Sequence, residues 1–531
     1  MTLEFKGGPT GRSKLELPSE WAGEKHTENS VTELKADSAD VLIRDTQSPA
    51  EKELEFPPNA VVRISYVLVK DWSGLLNGAT RFRADLEPEY FHLIGTTSLV
   101  HPNLDSSQPV DVHFDWQKLP QTWSLATSFG TDDRCQSFHG TWFNAVNSLF
   151  AGGDYRIHHS TVSGKTVNFA IRGTWSFSDE EWVENVRRII EFERSFWHDN
   201  NFPYFLVTLT PFGADHGSQG GTALTNAFME HLSRQDPISP GILAQLAHET
   251  FHSWTPGKMG KVPDTEEWVS WFYEGFTGYY QDLMLLRAGL LTFPDYVATL
   301  NDKLRGYETS DDVQVGLLEF VRRHAADHSI FKQLEYRRGT VLAAWLDAAI
   351  REQSHNKSSL DNLMFDFVAQ ESRYQRSHHG SSLSLTNDRI LRAAAKYIRP
   401  ASLDFLRKHV EQGGSIQLPE DALGSCVKSH SDLTEKFDPG FDLQSLKSAD
   451  KLVSGVEPDG EAYKAGLRDG QQLAAWSFTP DPEKQMRLTI RFADGKQVLT
   501  YFPRGARVPV QQFTLDAAKY SADPKTCSVG L

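Results

Sequence analysis

His248, Glu249 and His252 stand together in the run GILAQLAHETFHSW, Gly241 to Trp254, as an HExxH pattern. On a helix, residues four apart share a face, so both imidazoles can reach one ion while Glu249 stands beside its open coordination position. That arrangement suits hydrolysis: two neutral nitrogen donors hold Zn²⁺ and a neighbouring carboxylate takes a proton from water. A catalytic zinc takes a third protein ligand, and the candidate is Glu274 in EWVSWFYEGFTGYY, Glu267 to Tyr280. That stretch reads as an aromatic-rich helix, where an unpaired carboxylate is costly to bury unless a cation meets it. The plainer alternatives are two core histidines beside a surface glutamate, and Glu274 as a capping or salt-bridged acid. His324 and His328 have helical zinc spacing but no adjacent Glu, so they read as a solvated or hydrogen-bonded pair. The pairs His158-His159 and His378-His379 read as loop residues.

The elements that must carry these residues follow from periodicity. Ile242, Leu243, Leu246, Ala247 and Phe251 give the motif segment an apolar helical face. Residues 1–165 alternate apolar and polar in short runs, with strands expected at Val61 to Val69, Tyr90 to Val100 and Val110 to Asp115. The period changes at Ser178-Asp179-Glu180-Glu181, which has the form of a capping box and opens a helix to about His198. Phe205 to Thr210 reads as a strand. From Pro240 to Gly413 the pattern is mostly helical, with Val341, Leu342, Trp345, Leu346, Ala349 and Ile350 as one apolar stripe. The remainder returns to short β runs with one helical stretch near Tyr463.

Composition bounds the function classes. The chain has 531 residues, 39% hydrophobic, 11% aromatic and 23% charged, as expected of a folded globular protein. Its net charge of −16 disfavours nucleic acid and anionic membrane surfaces. No apolar run has the length of a membrane span, so the chain as given reads as soluble. Cys135, Cys426 and Cys527 are too few and scattered for a disulfide framework or a cysteine zinc site. A removed export leader would leave the same sequence, so a periplasmic or secreted location stays open beside a cytoplasmic one.

HETFHSW followed by WFYEGFTGYY resembles the gluzincin metallopeptidases, whose third ligand is the Glu of an EG pair, and most closely the glycyl-aminopeptidase family with a C-terminal PDZ-like domain. The resemblance implies a multidomain α+β chain: an N-terminal β-sandwich-like domain over 1–165, a thermolysin-like zinc catalytic domain over 166–290, an α-helical domain over 291–415 and a PDZ-like domain over 416–531. It assigns one Zn²⁺ per chain to His248, His252 and Glu274, with Glu249 activating the zinc-bound water. Tyr336, in Glu335-Tyr336-Arg337-Arg338-Gly339, matches a Tyr-x-Lys-Gly turn whose phenol stabilises the oxyanion, with Arg338 in place of the lysine. Gly220, Gly221, Thr222 and Ala223 match a substrate-pairing edge strand. Relatives carry there a Glu for the substrate's α-amine, often as GGLEH, and this chain has no acid; Glu230 follows later and reads as too close to His248 for that place. In the tail, Gly440 to Leu443 and Glu461 to Gly470 look like the carboxylate-binding loop and a turn of a PDZ domain, whose ligand would be a peptide C-terminus.

The expected function is zinc-dependent hydrolysis of peptide bonds, as an aminopeptidase or small-peptide hydrolase. Two other classes remain in view: a non-catalytic PDZ scaffold with a structural zinc, and a zinc hydrolase acting on a non-peptide bond.

Overall fold

The computed structural model describes residues 1–202, 204–263, 269–317, 319, 332–378, 380–443, 445, 451–480, 486–493, 495 and 498–527. The chain forms two compact units, 1–261 with 280–291 and 367–384, and 262–279 with 292–366 and 385–531.

The first unit begins in strands. Val61–Leu68 lies between Thr2–Lys6 and Val31–Ala36, and a four-stranded sheet runs in the order Leu42–Asp45, Glu51–Glu55, Arg12–Glu16, His101–Pro102. Leu15, Leu54, Val62, Ile64 and Tyr66 form one core with these strands, so the period-two pattern of the sequence becomes a buried face. The stretch read as a strand from Tyr90 to Val100 is strand only over Tyr90–Ile94, where all five residues are buried, and continues as a 3₁₀ turn at Gly95–Thr97.

A five-stranded sheet follows in the order Arg156–Val162, Lys165–Ile171, Leu206–Pro211, Ala227–Leu232, Gln219–Leu224. Its three inner strands run parallel, and both edge strands are antiparallel. Leu206–Pro211 and Ala227–Leu232 are buried at every position, as strands covered on both faces must be. The hairpin Arg156–Val162 with Lys165–Ile171 is part of this sheet, whereas the sequence places the end of the N-terminal domain at 165, inside that hairpin. His158 and His159 are therefore strand residues rather than loop residues. His158 meets Asp179 Oδ2 at 2.8 Å and His159 meets Asn168 Oδ1 at 2.7 Å, which explains two polar rings on a strand. The expected helix runs from Asp179 to Phe196, with Ser178 Oγ accepting the N–H of Glu181.

The second unit is helical and then β. Its helices include Phe293–Glu308, Lys332–Ser354, Asn387–Ala394 and Pro400–Glu411. The tail pairs Val427–Phe437 with Arg504–Leu515 in a long antiparallel ribbon and builds a three-stranded sheet from Leu473–Pro480, Met486–Phe492 and Val498–Tyr501. Phe441, Val453, Ala462, Leu467, Leu488 and Ile490 form the core of that last region. Asn301 fastens the ribbon to helix Phe293–Glu308 by exchanging hydrogen bonds with Phe513 N and O, each 2.8 Å. Cys426 and Cys527 form a disulfide, and Cys135 is free and exposed. The scattered cysteines thus do pair once, because the ribbon returns the end of the chain to the start of the tail. His324, His328 and His379 lie outside the described residues. Among the described residues no helix is long and apolar enough to cross a membrane.

Candidate active site

The motif helix Pro240–Phe251 starts where the sequence says it should: Ser239 Oγ accepts the N–H of Ile242 at 3.3 Å, and Pro240 in the first turn has no N–H to leave unpaired. Ile242, Leu243, Leu246, Ala247 and Phe251 are buried. The helix end is fixed by aromatic packing. Phe251 lies 5.2 Å from Trp197 and stacks on Tyr280 at 5.0 Å, while Trp197 stacks on Trp254 at 5.8 Å. Asp199 then accepts hydrogen bonds from Trp254 Nε1 at 3.0 Å and Lys258 Nζ at 2.5 Å, which pins the chain just beyond the motif.

This packing orients both histidines. The His248 and His252 rings stand perpendicular, at 89°, with centroids 4.6 Å apart. His248 Nδ1 donates to Gln281 Oε1 at 2.9 Å, and His252 Nδ1 donates to the carbonyl of Thr255 at 2.6 Å. An oxygen acceptor at Nδ1 fixes the proton there and makes Nε2 the lone-pair nitrogen, the form a metal ligand needs. Gln281 and Glu274 share the helix Ser270–Arg287, two turns apart on one face. His248, His252 and Glu274 accordingly offer one ligand atom each, all within 4.8 Å of one another, a group able to hold a metal ion. Two imidazole nitrogens and one carboxylate oxygen suit Zn²⁺ better than a hard all-oxygen cation. Glu249 is half-buried on the same helix as the histidines.

Glu274 and Tyr336 belong to two helices that cross backbone on backbone. A Cβ on Gly275 would lie 2.3 Å from Gly339 Cα, and one on Gly339 would lie 1.9 Å from the carbonyl oxygen of Trp271. Thr340 Oγ1 donates to Gly275 O at 3.0 Å beside this crossing. Tyr336 therefore sits within helix Lys332–Ser354, not in a turn ahead of Val341. Gly339, which looks like a turn residue in the sequence, is there for the close approach, and the helix continues through it despite glycine's low propensity. The crossing brings the segments of Glu274 and Tyr336 together, one turn from the contact in the case of the tyrosine.

Gly220, Gly221, Thr222 and Ala223 lie on the edge strand Gln219–Leu224, half-buried, opposite His231, Glu230, Met229 and Phe228. Glu230 is thus directly across from Gly221 rather than excluded from the strand's surroundings, as its short distance from His248 in sequence had suggested. It is 1% exposed, both carboxyl oxygens lack a hydrogen-bond partner among the described residues, and Oε2 lies 2.6 Å from where a Gly221 Cβ would stand. Burial first, and then the charge of Glu249, push its pKa well above the usual carboxylate range. On the other side of the strand, Arg81 Cδ is 3.2 Å and Nε 3.4 Å from the Cβ position of Gly220. Sequence reading missed Gln281, Glu230 in this setting and Arg81. The seven-residue spacing from Glu274 could have found Gln281, but nothing local to Arg81 betrays its place.

Residues 242–385 match the M61 glycyl aminopeptidase family. Among solved structures, an aminopeptidase N family protein from Idiomarina loihiensis is similar with a TM-score of 0.70 at 17% identity, over 98% of this chain and 95% of that one. An M1 zinc metallopeptidase variant from Deinococcus radiodurans, bound to a Tyr-Ser-Ala substrate, gives a TM-score of 0.49 at 15% identity, over 79% of this chain and 91% of that one. No curated protein matches the sequence. The chain is a peptidase with a multidomain α+β fold like that of the aminopeptidase N family protein.

Proposed function

We propose that this peptidase is a zinc-dependent hydrolase of small peptides, with His248, His252 and Glu274 as ligands of one Zn²⁺ per chain. The observation that carries the reading is the convergence of those three ligand atoms within 4.8 Å, with Glu249 next to the first of them. Zinc, when bound, supplies Lewis acidity toward the attacking water and the substrate carbonyl. Glu249 takes the proton of the attacking water and hands it to the leaving amine. Gln281 and the carbonyl of Thr255 hold the two imidazoles in their ligating tautomer. Tyr336 is proposed as the donor to the carbonyl oxygen as negative charge develops, and the Gly275/Gly339 crossing supports that placement. The half-buried edge strand, open on its outer side at the end of the sheet, supports Gly220 to Ala223 as the segment on which an extended peptide pairs.

For the tail we propose a PDZ-like domain within 416–531. Its support is the core around Phe441 and Ala462, the short helix Glu461–Ala465 capped by Gly466 at φ 107°, and Gly440 at φ 72° in the loop read as a peptide-carboxylate binder. The Cys426–Cys527 disulfide supports an oxidising compartment, the periplasm or the outside of the cell.

The deciding experiment combines elemental analysis with Glu249→Gln. The variant should keep about one zinc per chain and its fold while turnover of a mixed peptide library falls by about 10²–10⁴-fold, since an amide cannot accept water's proton. Wild-type turnover in the variant, or no transition metal in the protein and no gain of activity with zinc, would overturn the reading.

A further inference from the structure

Side chains alternate between the faces of a strand, so Gly220 and Gly221 would point their Cβ atoms to opposite sides of the edge strand. Glu230 fills the space on the Gly221 side. Arg81 lies on the Gly220 side, packed against the strand with Cδ 3.2 Å from the Gly220 Cβ position. Its guanidinium nevertheless lies in the fields of Glu24, Glu249 and Glu230, which favour its charge and oppose the lowering that burial imposes. Gly220, against which Arg81 lies, is on the edge strand of the sheet, where an extended peptide would add.

The guanidinium is only partly engaged, with Cζ stacked 4.3 Å over the Phe82 ring. Nη1 donates to the carbonyl of Gly78, Nε is buried without an acceptor, and Arg81 has no ion pair and no hydrogen bond from Nη2 among the described residues. The neighbouring Arg83, by contrast, is paired with Asp71 and Glu24. The edge strand itself, Gln219-Gly220-Gly221-Thr222-Ala223-Leu224, has no carboxylate, and Glu230 keeps both oxygens buried beneath Gly221. The Gly220 side of the edge strand therefore carries a guanidinium whose Nη2 has no hydrogen bond among the described residues, and the strand itself offers no carboxylate.

We propose that Arg81, laid across the edge strand at Gly220, is an anion subsite that takes a carboxylate of the bound peptide and disfavours an ammonium group at the same place. This rests on the peptidase reading of the cleft and names its substrate class: peptides with an acidic side chain or a free C-terminal carboxylate in reach of that edge. A guanidinium held by packing, with Nη2 unbonded, is pre-organised for such a partner.

The test measures binding, so that it does not depend on turnover. Titration calorimetry on zinc-loaded Glu249→Gln compares four peptides: acetyl-Asn-Ala-Ala-amide, acetyl-Asp-Ala-Ala-amide, acetyl-Asn-Ala-Ala with a free carboxylate, and Asn-Ala-Ala-amide with a free amine. One of the two acidic peptides should bind at least about tenfold tighter than the neutral one, which identifies the source of the carboxylate, and the free amine should bind weaker. In Glu249→Gln with Arg81→Gln the acidic preference should vanish, while Arg81→Lys should restore part of it. Each preference is a ratio within one protein, so a loss of stability in the variant does not imitate it. Equal binding of all four peptides, tighter binding of the free amine, or an acidic preference that survives Arg81→Gln would each overturn the proposal. Wild-type protein that binds with this preference but cleaves none of the peptides would refute the peptidase reading and leave the subsite standing.

Discussion

Replacing Gly339 by alanine places a methyl group between two helix backbones. Its Cβ would fall 1.9 Å from Trp271 O, 2.8 Å from Trp271 C and 2.7 Å from Gly275 Cα, all main-chain atoms with no rotamer by which to retreat. Ordinary carbon contacts lie at ~3.5–4.0 Å, so the helices must part by more than about 1 Å. Overpacking of this kind costs about 1–3 kcal/mol and more where backbone must shift. Alanine returns about 1 kcal/mol through its better helix propensity. The expected net loss is about 2 kcal/mol, measured as a lower denaturation midpoint. Activity should suffer beyond that, because Glu274 precedes Gly275 and Tyr336 lies one turn before Gly339. A misplacement of about 1 Å in such groups costs ~10²-fold in rate, and kcat/KM should fall on that scale in protein that is still folded. Gly241→Ala is the control. Its Cβ would meet only Ser239 Oγ, at 3.7 Å, so the same substitution on the motif helix should leave kcat/KM unchanged and the midpoint unchanged or raised, by up to about 1 kcal/mol from helix propensity. If Gly339→Ala matched this control in both measurements, the crossing would not be what holds the two helices.

Gln281→Leu removes the acceptor that fixes the His248 tautomer, and zinc affinity measured by competition with a chelator should drop about 10–100-fold with little change in folding. Cys527→Ser opens a bridge spanning a sequence separation of 101. It should lower stability by about 2–5 kcal/mol, and reductant should lower the midpoint of the wild type but not of the variant. Glu193 is fully buried, neither carboxyl oxygen has a partner among the described residues, and burial raises its pKa well above the ordinary glutamate value of 4.5. A carboxyl raised in the folded state binds more protons there than in the unfolded chain, so its contribution is complete below pH 4.5 and is lost as pH rises through the folded pKa. Glu193→Gln does not titrate, so a denaturation series from pH 4 upward should show the variant gaining on the wild type as pH increases; a constant difference would contradict the burial assigned to Glu193.

The local sequence determined what depends on neighbours along the chain. His248, Glu249 and His252 share a helix because Ser239 and Pro240 start it and five apolar residues bury one face, all within one short run. Glu274 was legible for the same reason: its stretch is apolar on every side, and a carboxylate there calls for a cation. The strands at Val61–Leu68 and Leu206–Pro211 and the cap at Ser178 were equally local. Tertiary structure decided whatever depends on two distant segments meeting. Gly339 reads as a turn until Gly275 is seen against it, and Tyr336 then lies inside a helix that runs through Gly339. The two cysteines Cys426 and Cys527 look scattered until the antiparallel ribbon brings the chain back on itself. Glu230 changes meaning once the register sets it opposite Gly221, where burial raises its pKa. Arg81 has no local pattern at all. Its role follows from the missing side chain of Gly220, far along the chain, because the space a residue occupies is set by what packs against it and not by what precedes it in sequence.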